Sequence, residues 1–236
     1  MDLLLSVTQN MFMLGFVAMA AGAFYFFMER NDLKPEHRSV ATYAAVIAFV
    51  AAILYYVMKD VVGFPGGEIG AAQIAETVPL RYIDWVITTP LLLVEFGLIV
   101  AIAGGATKGL VTRLVLVDLV MIVTGFLGEI SVPGSVAAYV WFIISVLAWL
   151  WIVLMVFQVK VDKGAPFAQQ AVKTMRLFVV IGWAIYPLAT AIQQFMHIGG
   201  ADVGTAAAVA ALIYVVADVL NKVGFGIVAV RAAKKA

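Results

Sequence analysis

The chain has 236 residues, 64% of them apolar and only 12% charged, with a mean hydropathy of +1.07. Soluble domains carry about a quarter charged residues, so this composition excludes an ordinary water-soluble globule. A net charge of +1 offers nothing to nucleic acid, and the absence of Cys excludes disulfide frameworks, Cys-based zinc sites and thiol catalysis.

What remains is an integral membrane protein. A helix needs about 20 mostly apolar residues to cross roughly 30 Å of hydrocarbon. Seven such stretches follow in order, at about 8–29, 38–59, 78–103, 110–129, 135–158, 174–197 and 204–230. They predict an all-α, seven-transmembrane-helix bundle, one domain over residues 1–236. Pro35, Pro65, Pro133 and Pro166 fall between spans, and Pro79 opens the third, where its missing N–H costs nothing. Pro90 and Pro187 lie inside spans, which neighbouring helices tolerate in lipid. The longest connection, about 60–77, carries Phe64-Pro65-Gly66-Gly67, a turn signal for a short hairpin.

Arg30, Lys34, Arg38, Lys108, Arg113, Lys160, Lys163, Lys173, Arg176, Arg231, Lys234 and Lys235 all lie in the first, third and fifth connections or at the C-terminus. The opposite side holds only Lys59. This bias predicts an outside N-terminus and a cytoplasmic C-terminus. Met1-Asp2-Leu3-Leu4 has no positive n-region, so no removable signal peptide is expected.

Six ionisable residues fall inside spans: Arg81, Asp84, Glu95, Asp118, Asp218 and Lys222. Each costs several kcal/mol in hydrocarbon unless paired or hydrated, which makes each a functional candidate. Arg81 and Asp84 are three apart and share a face of the third helix, with Thr88 one turn on. Glu95 lies eleven residues past Asp84, about three turns and roughly 16 Å along the axis, on the same face. With the third helix running inward, Asp84 occupies the outer half and Glu95 the cytoplasmic half. Two carboxylates at different depths suit two stations for a proton.

On the seventh helix Asp218 and Lys222 are four apart. Either they form an ion pair bridging turns, or the desolvated lysine serves imine chemistry with an aldehyde cofactor. Arg81 and a protonated imine at Lys222 would balance Asp84 and Asp218 in a neutral quartet. Trp85, Trp141, Phe142, Trp183 and Tyr186, on different helices, suit the walls of an elongated apolar pocket. For each alone, packing or lipid contact is the better reading; only their grouping with the lysine points to a pocket.

Three motifs in order carry a resemblance: Arg81-Tyr82-Ile83-Asp84-Trp85-Val86-Ile87-Thr88-Thr89-Pro90-Leu91-Leu92, Trp183-Ala184-Ile185-Tyr186-Pro187, and Asp218-Val219-Leu220-Asn221-Lys222-Val223-Gly224-Phe225-Gly226. They resemble the third-helix, sixth-helix and retinal-attachment signatures of the microbial (type 1) rhodopsins. Asp84, Thr88 and Glu95 read like the proteorhodopsin-like outward proton pumps. Phe27-Met28-Glu29-Arg30, Gly128-Glu129 and Asn221 are similar to that group as well.

The resemblance implies a light-driven outward proton pump, not an enzyme, in a prokaryotic cell membrane. Lys222 would bind all-trans retinal as a protonated Schiff base, with Asp84 as counterion and proton acceptor, assisted by Thr88. Asp218 would be the second counterion, Arg81 the adjustable outer charge, and Glu95 the cytoplasmic donor. The implied retinal pocket is Tyr55, Trp85, Thr88, Leu92, Met121, Gly125, Phe142, Ser145, Trp183, Tyr186 and Pro187, and Leu92 implies green absorption. Phe142 stands where carotenoid-antenna relatives have Gly, so no antenna is expected. The implied partners are membrane lipid and further copies of the chain, as a pentamer or another small ring.

Three features depart from that pattern. Leu54 takes the place of a second-helix His, and His37 and His197 read as surface groups. Thr190 stands where relatives often have an aromatic. For proton release, Glu129 and Asp202 are the nearest candidates, each reading better as an exposed charge; Asp118 reads as a helix-packing hydrogen bond near the retinal ring. Two other classes fit parts of the pattern: a sensory photoreceptor signalling to a membrane transducer, which Glu95 opposes, and a retinal-free coupled transporter.

Overall fold

A computed structural model describes residues 2–63, 71–161, 163–201 and 203–236. The predicted turn at Phe64-Pro65-Gly66-Gly67 and the release candidate Asp202 lie outside the described residues. Seven helices are long and apolar enough to cross a membrane, and the described residues contain no strand. They are α1 (Asp2–Glu29), α2 (Arg38–Val61), α3 (Val78–Ile102), α4 (Leu110–Glu129) and α5 (Val136–Gln158). α6 comprises Pro166–Leu177 and Trp183–Ile198, joined by a π-helical turn at Phe178–Gly182. α7 comprises Val203–Asp218 and Phe225–Lys235, joined by a second π-turn at Val219–Gly224.

Several ends differ from the hydropathy reading. α1 begins near residue 2 rather than 8, α6 at Pro166 rather than about 174, and α7 continues to Lys235. Pro166 is not in a connection but sits in the first turn of α6, where a proline's fixed φ suits a helix start. Gln169, Gln170, Lys173 and Arg176 end an apolar stretch without ending a helix. Hydropathy marks the stretch that meets lipid, and backbone hydrogen bonding carries the helix past it. α5 starts where Ser135 accepts a hydrogen bond from the Ala138 amide at 3.2 Å.

The helices differ in how much they bury. In the most apolar window, 61% of α7 and 50% of α3 is buried, against 22% for α5 and α6. α3 and α7 are therefore the inner helices, and they carry five of the six intramembrane charges, Asp118 on α4 being the sixth. The outer helices present Phe24, Phe49, Ile143 and Leu147, each more than half exposed, as a protein solvated by lipid requires. An apolar cluster that includes Leu92, Phe96, Val179, Trp183 and Phe225 fills the half of the bundle that contains Glu95.

Candidate functional site

Arg81, Asp84, Glu95, Asp118, Asp218 and Lys222 are each 2% exposed or less. The structure joins three of them. Lys222 Nζ lies 2.5 Å from Asp84 Oδ2 and 3.1 Å from Asp218 Oδ1, so one cation is clamped between carboxylates from α3 and α7. The two carboxylates are held differently. Asp218 accepts from Tyr55 Oη at 2.8 Å, Tyr186 Oη at 2.7 Å and Trp85 Nε1 at 3.2 Å. Asp84 Oδ1 has no hydrogen-bond partner among the described residues. The Thr88 hydroxyl bonds back to the Asp84 carbonyl at 3.0 Å, fixing the helix turn that carries the carboxylate.

Arg81 does not complete the neutral quartet that spacing suggested. Among the described residues it forms no ion pair within 4 Å of a carboxylate. Its Nη2 donates to Thr77 Oγ1 at 2.7 Å, and its guanidinium lies 4.9 Å from the centre of the Tyr214 ring. Helical side chains lean toward the N-terminus of their helix, so Arg81 extends away from Asp84 toward the preceding turn. Its Nε and Nη1 are buried and without a partner among the described residues.

Glu95 is fully buried in the apolar cluster, and neither carboxylate oxygen has a partner among the described residues. Asp118 instead joins helices: the Thr89 hydroxyl donates to its Oδ2 at 2.8 Å, tying α4 to α3.

A cavity of about 340 Å³ runs from Lys222 along the bundle. Its walls include Trp85 and Leu92 from α3, Met121 and Gly125 from α4, Phe142 and Ser145 from α5, and Trp183, Tyr186 and Pro187 from α6. Tyr55 and Thr88 do not line it; they act on Asp218 and on the Asp84 backbone. Trp141 lies outside it too, with Cβ against Gly128. The volume falls at the lower end of the range for small-molecule sites, about 300–1,000 Å³. An elongated apolar slot ending on a buried amine fits retinal, an apolar polyene with one aldehyde carbon.

Sequence reasoning missed Trp149, which lines the cavity and donates its indole N–H to the Val179 carbonyl at 2.9 Å. A tryptophan on a largely lipid-facing helix gives no signal for such a contact. Glu129 was read as an exposed helix end, and the structure corrects this. Both its oxygens are shielded from solvent without a partner among the described residues, and Glu129 lines the same cavity. It lies within electrostatic reach of Arg81 and Tyr82. Thr190 fills the place of the missing aromatic by hydrogen bonding Tyr214 Oη at 2.7 Å. His37 and His197 are half-buried rather than fully exposed, and neither contacts the Lys222 cluster; Leu54 lies beside Tyr55 at the edge of the core.

A family model described as bacteriorhodopsin-like protein matches residues 6–236. The chain is 33% identical over 218 residues to the green-light absorbing proteorhodopsin of gamma-proteobacterium EBAC31A08, covering 89% of this chain and 80% of that protein. Its fold resembles the crystal structure of Exiguobacterium sibiricum rhodopsin, with a TM-score of 0.83 and 42% identity over 97% of this chain and 96% of the other. It also resembles the blue light-absorbing proteorhodopsin from Med12, with a TM-score of 0.76 and 31% identity over 97% and 98% of the two chains. The chain belongs to the bacteriorhodopsin-like family, the microbial rhodopsins: a multi-pass prokaryotic membrane protein from a group of light-driven pumps rather than enzymes.

Proposed function

We propose that this protein is a light-driven outward proton pump that holds all-trans retinal on Lys222, with its N-terminus outside and its C-terminus cytoplasmic. The observation that carries the reading is the placement of Lys222 Nζ. It closes one end of an apolar cavity, touches Asp84 and Asp218, and shares the bundle interior with a separate carboxyl, Glu95. Bound there as a protonated Schiff base, retinal supplies light absorption and a light-dependent change in the proton affinity of Nζ.

The protein's own groups then give the proton a direction. Asp218 already accepts three hydrogen bonds, which stabilise its charge. Asp84 has an oxygen without a partner among the described residues, so the proton leaving Nζ goes to Asp84, on the outer side of the lysine. Arg81 lies one turn further out, and its Nε and Nη1, without partners among the described residues, can turn as the charge on Asp84 changes. Glu129 is the next carboxyl along this route. Glu95, walled off by Leu92 and Phe96, returns a proton to Nζ from the cytoplasmic half. The apolar cluster that fills this half of the bundle keeps the proton from leaking back. Phe142 fills the wall where an antenna carotenoid would approach, so the pump works with retinal alone, and the lipid-facing helices assemble as a small homo-oligomeric ring.

The test is pigment formation followed by light. The purified chain should form a visible pigment with all-trans retinal that hydroxylamine bleaches, and Lys222→Ala should form none. In the pigment, Asp84→Asn should abolish light-induced deprotonation at Nζ. Normal deprotonation in Asp84→Asn would refute the acceptor assignment, and a Lys222→Ala pigment would refute the attachment site.

A further inference from the structure

Neither Glu95 oxygen has a partner among the described residues, and an apolar cluster fills its half of the bundle, so the returning proton needs this half to open. Leu92, Phe96, Val179, Trp183 and Phe225 stand in the cluster and are at most 5% exposed. α6 contributes Val179 and Trp183 to that cluster, and its π-turn, Phe178–Gly182, lies between its two straight halves. A π-turn shifts the hydrogen-bond ladder by one residue and leaves carbonyls poorly served within the helix. Here two such carbonyls are bonded from outside. Trp149 of α5 donates Nε1–H to the Val179 carbonyl, and Asn221 of α7 donates Nδ2–H to the Gly182 carbonyl, each at 2.9 Å.

The packing shows that the second contact is tightly fitted. A Cβ at position 182 would sit 1.9 Å from Asn221 Oδ1, so only glycine lets the amide approach. Asn221 is 1% exposed and lies in the α7 π-turn, next to Lys222 in the chain. A displacement of the Lys222 backbone therefore reaches the Gly182 carbonyl through one residue. Beyond the hinge, Arg176 donates to the Val156 and Val159 carbonyls at the end of α5.

Building on the pump reading above, we propose that Trp149 and Asn221 are paired latches on a hinge in α6, and that their release sets the rate at which Glu95 returns a proton to Lys222. Both are positioning residues, since neither carries the proton. Trp149 fastens the hinge to α5, and Asn221 couples it to the turn of α7 that holds the lysine. Each latch is a neutral hydrogen bond, so losing one should raise the open population about two- to tenfold.

The experiment uses the full chain with retinal. The protein has no Cys, so spin labels on Lys108→Cys and Lys173→Cys report only the separation of the α3–α4 connection from the Pro166–Leu177 arm of α6. Trp149→Phe keeps the ring and removes the donor, while Asn221→Ala removes the amide. In both, the label distances in the dark, with and without retinal, should broaden toward longer values. Flash absorption should show proton return to Nζ about two- to tenfold faster, and Glu95→Gln should still slow it in each background. Gly182→Ala should mimic Asn221→Ala, and the double variant should add nothing to either. Unchanged distances in both variants would overturn the latch, as would broader distances with an unchanged return rate. A wild-type pigment in which light never removes the proton from Nζ would instead refute the pump reading, while the dark label distances would still report on the latch.

Discussion

Replacing Tyr55 by Phe should redirect part of the proton that leaves Lys222 from Asp84 to Asp218. Lys222 Nζ stands 2.5 Å from one carboxylate and 3.1 Å from the other. At an effective dielectric constant of about 20 these distances give gross attractions of about 6.6 and 5.4 kcal/mol. The difference, about 1 kcal/mol, is smaller than what three donors to one carboxylate supply together. Hydrogen bonds to a charged group are each worth about 1.5–3 kcal/mol, and Asp218 accepts three from Tyr55, Tyr186 and Trp85. The donors, rather than the distances, keep the proton off Asp218. Losing the 2.8 Å bond from Tyr55 should shift the proton's partition toward Asp218 by roughly ten- to a hundredfold, and Tyr55→Phe with Tyr186→Phe should shift it further. Light-induced infrared difference spectra measure this directly, with the carboxylic bands assigned through Asp84→Asn and Asp218→Asn. An unchanged band pattern in the double variant, with pigment intact, would show that the donors do not decide the acceptor.

Glu95→Gln keeps the shape of the side chain and removes its proton; return of a proton to Nζ should slow by about a hundredfold or more, and added azide should restore part of the rate. Flash absorption at the pigment band checks this. Glu129→Gln should leave deprotonation of Nζ unaltered and delay the appearance of the proton outside, as read with a pH-sensitive dye; equal timing in both proteins would exclude Glu129 from the route. Leu92 lines the cavity, and Leu92→Gln should move the absorption maximum to shorter wavelength, because an amide dipole there favours charge held near Nζ.

The seven spans and the six charges inside them were legible because lipid demands long apolar stretches and leaves intramembrane charges conspicuous. Asp218 and Lys222 could be placed on one face from their four-residue spacing alone. The contact of Lys222 with Asp84 could not be read from spacing, since it depends on how α3 packs against α7; charge balance suggested the grouping and the resemblance of three motifs supplied it. Arg81 shows the limit of face arithmetic. Three residues' separation put it beside Asp84, yet the lean of helical side chains carried its guanidinium to Thr77. Glu129 was misread because it ends a helix, usually an exposed position. A Cβ on the preceding Gly128 would lie 3.3 Å from the Phe142 amide, so glycine brings the end of α4 close to α5 and helps enclose the carboxylate. The π-turns left no mark in the sequence, since neither Phe178–Gly182 nor Val219–Gly224 contains a proline. The residues that bond the α6 turn from outside, Trp149 and Asn221, act over distances in the chain that periodicity does not reach.

The central claim is vectorial: light moves protons from the Glu95 side of the membrane to the Asp84 side. It is tested most directly by expressing the chain with retinal in cells and recording external pH under illumination. Illumination should give prompt acidification that an uncoupler abolishes and that Asp84→Asn eliminates. Light-driven alkalinisation, or no pH change from a coloured and correctly inserted protein, would contradict it.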